Sequence, residues 1–97
     1  MTYNGLFPIG TVVLLKDSTR RVMISGVAQY SISDANQRKL YDYVGVVFPE
    51  GFMGPEENLL FNADQIDKVF FIGLQDSESL SFLDRANQIL EKLRAEQ

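Results

Sequence analysis

The apolar positions of this chain fall into several short runs and one long periodic stretch near its end. Ile9-Gly10-Thr11-Val12-Val13-Leu14-Leu15 is β-branched and apolar on both faces, which predicts a well-buried strand over about 11–16. The polar, turn-rich residues 16–20 suit a hairpin connection. Residues 21–30 read as a second strand, and Gly26 in mid-run predicts a bulge or sharp bend. Residues 31–39 are polar and without periodicity, so they read as a loop. Residues 40–48 form a third strand. Alternation puts Tyr41, Tyr43, Gly45 and Val47 on one face and Asp42, Val44, Val46 and Phe48 on the other.

Pro49-Glu50-Gly51 and Gly54-Pro55-Glu56 are turn signals flanking Phe52-Met53, so two large apolar side chains ride on a loop. Asn62, with Gln65 three residues on, matches a capping pattern and predicts one helical turn. Lys68-Val69-Phe70-Phe71-Ile72 returns to strand composition and Gly73 ends it. Beyond it, Asp76, Ser77 and Ser79 offer N-caps for a helix over about 77–95. Phe82, Leu83, Ala86, Ile89, Leu90 and Leu93 form one apolar stripe on that helix, expected to dock on the sheet. The fold class is therefore α+β: a small antiparallel SH3-like curled sheet or barrel, β-β-β-turn-β, with one C-terminal amphipathic helix. With 97 residues it reads as a single domain, 1–97, its sheet core over about 9–73.

Composition narrows the chemistry. Hydrophobic content of 45% and aromatic content of 11% exclude a disordered tail. No run is long enough for a signal-peptide core or a membrane span, and a soluble, cytoplasmic protein is expected. The net charge is −4, and the basic residues are scattered, with Arg20-Arg21 and Arg38-Lys39 as the doublets. That balance speaks against nucleic acid, whose binders present a clustered basic face, and against anionic membrane. The chain has no cysteine and no histidine. The commonest general base, the usual transition-metal ligands and the strongest nucleophile are thus missing. No cofactor or transition metal is expected, and no catalytic residue is assigned.

The remaining candidates are weaker. Glu50, Glu56, Glu57, Asp64 and Asp67 could supply paired carboxylates, but all sit in turn contexts where carboxylates are ordinarily solvated. They lack the spacing of a calcium loop, and Gly51 and Gly54 are not followed by the Lys-Ser/Thr of a phosphate loop. Tyr30, Tyr41 and Tyr43 would stack bases only beside Arg38 and Lys39.

The segments L-F-P-I-G-T-V-V-L-L-K at 6–16, R-V-M-I-S-G at 21–26, Y-D-Y-V-G-V-V-F-P-E-G at 41–51, G-P-E at 54–56 and F-N-A-D-Q-I-D-K-V-F-F-I-G at 61–73 are distinctive in combination. Over about residues 6–73 the chain resembles the domain-of-unknown-function 4176 (DUF4176) family of small proteins from Gram-positive bacteria. Genes for such proteins often lie beside type VII secretion genes and the LXG-domain toxins those systems export. The resemblance implies a non-enzymatic accessory, an adaptor or chaperone, with a secreted LXG-type effector or its helical secretion partners as the protein partner. It carries over no catalytic residue. The chain lacks a W-x-G turn, so it is not itself one of the helical-hairpin partners. Alternatives are a toxin-neutralising immunity protein and a small nucleic-acid-binding barrel. The oligomeric state stays open.

An interface needs apolar anchors inside a polar rim. Phe48, Phe52 and Met53, rimmed by Glu50, Glu56 and Glu57, fit that description and form the candidate protein-binding site. The competing expectation is that Phe52 and Met53 fold back and plug one end of the barrel.

Overall fold

The computed structural model describes residues 5–34 and 37–96. Its strands are β1 (Val12–Leu15), β2 (Arg21–Asp34), β3 (Gln37–Phe48), β4 (Leu59–Phe61) and β5 (Ile66–Phe71), followed by one helix, α1 (Ser77–Ala95). Two 3-10 turns, Pro55–Glu57 and Ala63–Gln65, flank β4. The strands form one antiparallel sheet in the order β4-β3-β2-β1-β5. The two edges are thus consecutive in sequence, separated only by residues 62–65. A flat sheet would set its edges about 19 Å apart, at ~4.8 Å per strand interval. A 3-10 turn rises only about 2 Å per residue. The sheet therefore curls strongly to bring β4 and β5 together, but they do not pair, and it stays unclosed.

Most of the expected elements are present, with three differences. Residues 31–34 and 37–39 are strand rather than loop: β2 and β3 stay paired through Ser31↔Lys39 to Asp34↔Gln37, and residues 35 and 36 lie outside the described residues. A ladder held by backbone hydrogen bonds has no need of apolar periodicity, so composition gave no sign of it. A fifth strand, β4, pairs with β3 from Tyr43↔Phe61 to Gly45↔Leu59. Three residues are too few to display a period of two. The lead segment, residues 6–8 ahead of the expected sheet core at 9–73, also belongs to the core, with Leu6, Phe7 and Pro8 buried.

The bulge expected at Gly26 is found as a register shift between Ile24 and Gly26. Two residues further on, Ala28 adopts a φ of 55°. The helical turn after Asn62 is there, with the Gln65 side chain accepting the Asn62 N–H at 2.8 Å. Helix α1 begins at the expected place: Asp76 caps it by accepting the Ser79 N–H at 2.8 Å.

The core lies between the sheet and α1. Tyr43 and Phe61 are its largest fully buried side chains, their rings 5.4 Å apart. The Tyr43 hydroxyl accepts the Phe7 N–H at 2.9 Å, which fixes the lead segment against the sheet. The helix contributes Leu83, Ala86 and Leu90, with Leu93 packed partly against them. Phe82 and Ile89 belong to the expected stripe but are 46% and 54% exposed. The stripe is wider than the contact it makes. A curled sheet meets a straight helix along a narrow line, and only the positions near its middle are covered.

Two glycines are required by space. A Cβ on Gly73 would lie 2.0 Å from the carbonyl oxygen of Ile9, where the chain leaving β5 crosses the entry to β1. The Gly73 N–H donates there to the buried Thr11 hydroxyl at 3.1 Å. A Cβ on Gly45 would meet Val22 at 2.5 Å and the Met23 carbonyl oxygen at 2.8 Å.

Candidate functional site

The proline- and glycine-bounded segment between β3 and β4 leaves the sheet at Phe48 and returns at Leu59. Its Pro-Glu-Gly turn is tied down by a backbone hydrogen bond from Gly51 N–H to the Val47 carbonyl at 2.7 Å. A second tie comes from the β1–β2 turn, where the Arg20 guanidinium donates to the Glu50 carboxylate in an ion pair. That hydrogen bond holds the Glu50 carboxyl below the usual carboxylate range. Both groups are substantially exposed, so the pair orients the loop more than it stabilises the fold.

Held this way, the loop presents Phe52 at 66% exposure and Met53 at 53%. They do not plug the end of the curled sheet. Glu56 and Glu57 are exposed in the 3-10 turn that follows. Phe48 is half-buried and turned to different company. It lies beneath the Arg21 guanidinium, 5.1 Å from the ring centroid, and lines a groove with Phe70 and Phe71 of β5. Of the six residues singled out from sequence, Glu50, Phe52, Met53, Glu56 and Glu57 therefore share one segment, while Phe48 belongs to the sheet surface.

The remaining acidic candidates do not assemble. Among the described residues no three acidic side chains are placed to hold a metal ion together. Asp64 and Asp67 are exposed. The carboxylate with the most structured surroundings is Asp42, which sequence reading did not single out. It is 7% exposed, accepts the Ala63 N–H at 2.8 Å and pairs with Arg94 of α1 at 2.6 Å. Its own N–H donates to the Asn62 side chain at 2.9 Å. This node fastens the end of α1 to β3 and to the corner after β4. The node also lines a surface depression of about 390 Å³ with Leu40 and Asp64, but its hydrogen bonds and ion pair are made within the fold, which gives it an architectural role.

Base stacking fares no better. Tyr43 is fully buried in the core, Tyr41 is half-buried beneath Lys39 at 5.4 Å, and Tyr30 is 37% exposed. The Arg38 side chain lies outside the described residues. No helix among the described residues is long and apolar enough to cross a membrane.

What sequence reading missed is on β5. Phe70 and Phe71 are 54% and 62% exposed, and Ile72 and Leu74 follow at 37% and 73%. Alternation would have sent one of the two phenylalanines inward. Val12 pairs with Phe71 and Val13 with Val69, so the register shift between them leaves Phe70 as an extra residue, and both rings end up exposed. The signal that could have found this surface is β1, which was apolar on both faces although an antiparallel sheet ordinarily keeps one face polar.

A family model described as "Domain of unknown function (DUF4176)" matches residues 6–82. No curated protein and no solved structure matches the chain.

Proposed function

The chain belongs to the DUF4176 family, and from that premise we propose that it is a non-enzymatic protein-interaction module acting in the cytoplasm. In this reading it is an adaptor or chaperone for an LXG-type effector of a type VII secretion system. The observation that carries it is the presentation of Phe52 and Met53. Two large apolar side chains more than half exposed, on a loop pinned by the Arg20–Glu50 pair and bordered by Glu56 and Glu57, have the make-up of an interface anchor with a polar rim. Pinning matters because a pre-ordered loop loses little freedom on binding.

The test is co-expression with the neighbouring LXG-type effector, followed by size-exclusion chromatography and calorimetry. A discrete complex is expected. The paired substitution Phe52→Ala and Met53→Ala should weaken it by more than about 2 kcal/mol with the melting temperature nearly unchanged. Absence of any complex would sink the reading. A complex in which the toxin is inactive would replace export by neutralisation.

A further inference from the structure

Both faces of the sheet are apolar, and among the described residues α1 packs on only one of them. Cross-strand partners place Phe71, Val12, Met23 and Val46 in one row across β5, β1, β2 and β3. Lys68, Leu14, Arg21 and Phe48 form the adjacent row. Directly opposed residues of an antiparallel sheet share a face, so these eight side chains lie on one surface. It is the surface opposite the core, which takes Val13, Val22 and Ile24 and receives α1. An outward face of this kind ordinarily alternates to polar residues. Here six of its eight positions are apolar, and the other two are cations.

The face is grooved rather than flat. Buried Val12 and half-buried Met23 are flanked by Phe48 on β3 and by the exposed rings of Phe70 and Phe71 on β5. The volume enclosed is about 440 Å³. From β5 to β3 the distance is about 14 Å, three strand intervals, against a helix diameter of about 10–12 Å. One helix fits the width.

Charge selects the occupant. Arg21 and Lys68 bring two positive charges to a face whose two rows contain no carboxylate, in a chain whose net charge is −4. The carboxylate acting on Arg21 is Glu50, which is already hydrogen-bonded to Arg20. Stacking the same face of two copies would put four cations in one layer with nothing from either row to pair them, which disfavours self-association. A net negative chain likewise disfavours an anionic membrane.

We propose that this groove docks an amphipathic helix of another protein, its apolar stripe at i, i+3, i+4 and i+7 and its flanks rich in Asp and Glu. The aromatic walls take the stripe, and Arg21 and Lys68 face the acidic flanks. The proposal builds on the interaction reading above and assigns it a second surface, separate from Phe52 and Met53.

The probe is a labelled synthetic helix of about five turns, with leucine on the stripe and glutamate on both flanks, titrated with the full chain by fluorescence anisotropy. The control peptide carries lysine in place of glutamate. Saturable binding of the glutamate peptide is expected, weakening as salt is raised. The lysine peptide should bind at least about tenfold more weakly, and Arg21→Glu or Phe71→Ser should each cost about tenfold. Phe52→Ala should cost nothing. Amide shifts in the nuclear magnetic resonance spectrum should map to β1, β5 and the end of β3.

Equal binding of both peptides, or binding indifferent to Arg21→Glu and Phe71→Ser, overturns the assignment. So does a concentration-dependent dimer that Phe71→Ser abolishes, or preferential binding to phosphatidylglycerol vesicles lost in the same variants. If the effector complex forms and survives both substitutions, the groove assignment falls and the interaction reading stands. If no effector complex forms but the glutamate peptide binds as described, the reverse holds.

Discussion

Ile89 and Leu90 are neighbours in α1 with similar volume and hydrophobicity, and the structure gives them opposite fates. Leu90 is 1% exposed inside the core cluster, whereas Ile89 is 54% exposed. Leu90→Ala removes three buried carbons, about 2.4 kcal/mol at ~0.8 per methylene, before any cavity is counted. The cavity term raises the expected loss to about 3–4 kcal/mol. Ile89→Ala removes mostly hydrated surface and gains a few tenths of a kcal/mol of helix propensity, so its net effect should lie within about 0.5 kcal/mol of zero. The assay is urea denaturation followed by far-ultraviolet circular dichroism. With a slope near 1 kcal/mol/M, the Leu90→Ala midpoint should fall by about 3 M and the Ile89→Ala midpoint should hardly move. Set against a total stability of about 5–15 kcal/mol, the first loss is a large part of the whole. A cost above about 1 kcal/mol for Ile89→Ala with little for Leu90→Ala would mean that the helix docks rotated by about 100°, one residue's turn. The reasoning about which stripe positions are core would then be wrong.

Three further outcomes follow from local geometry. Asp42→Ala should cost about 2–4 kcal/mol, because it strands the Ala63 N–H and the Arg94 guanidinium, while Arg94→Ala, at the half-exposed partner, should cost about 1. A double-mutant cycle in chemical denaturation should return a coupling near 1 kcal/mol, and strict additivity would show the pair to be idle. Ala28→Gly should raise stability by about 0.5–1 kcal/mol: relief of the left-handed backbone gives about 1–2, and the added freedom of the unfolded glycine takes back about 0.5–1. An unchanged or lower midpoint would contradict it. The Glu50 carboxyl is held below its ordinary value of 4.5 in the folded chain, so the unfolded chain binds more protons in that window. The ion pair's contribution is present above the ordinary carboxylate range and lost as pH falls through the lowered value; melting scans of Glu50→Gln should show a shallower acid slope than the parent.

Local rules settled much of this protein. Alternation placed Tyr43 and Gly45 together and Val46 with Phe48; glycine in a strand marked the bulge beside Ser25; and Asp76 and Asn62 announced their caps. Each of these rests on interactions within a few residues, which sequence carries directly. Family membership was equally legible, because it resides in the order of short motifs. What sequence left undetermined involves distances across the fold. The β2–β3 ladder past residue 30 depends on backbone pairing, and β4 exists because β3 offers it an edge. The stripe on α1 was correct as a pattern, but how much of it is buried depends on the curl of the sheet beneath, which leaves Phe82 and Ile89 outside. The same holds for the surfaces proposed for binding. Turn signals located the Phe52–Met53 loop, but only the packed chain shows that it stands clear of the core, because nothing local distinguishes a protruding side chain from a plug. The outer groove needs four strands in register and an extra residue in β5 to turn both phenylalanines outward. A run of apolar letters contains neither fact, since both arise from which strand lies beside which.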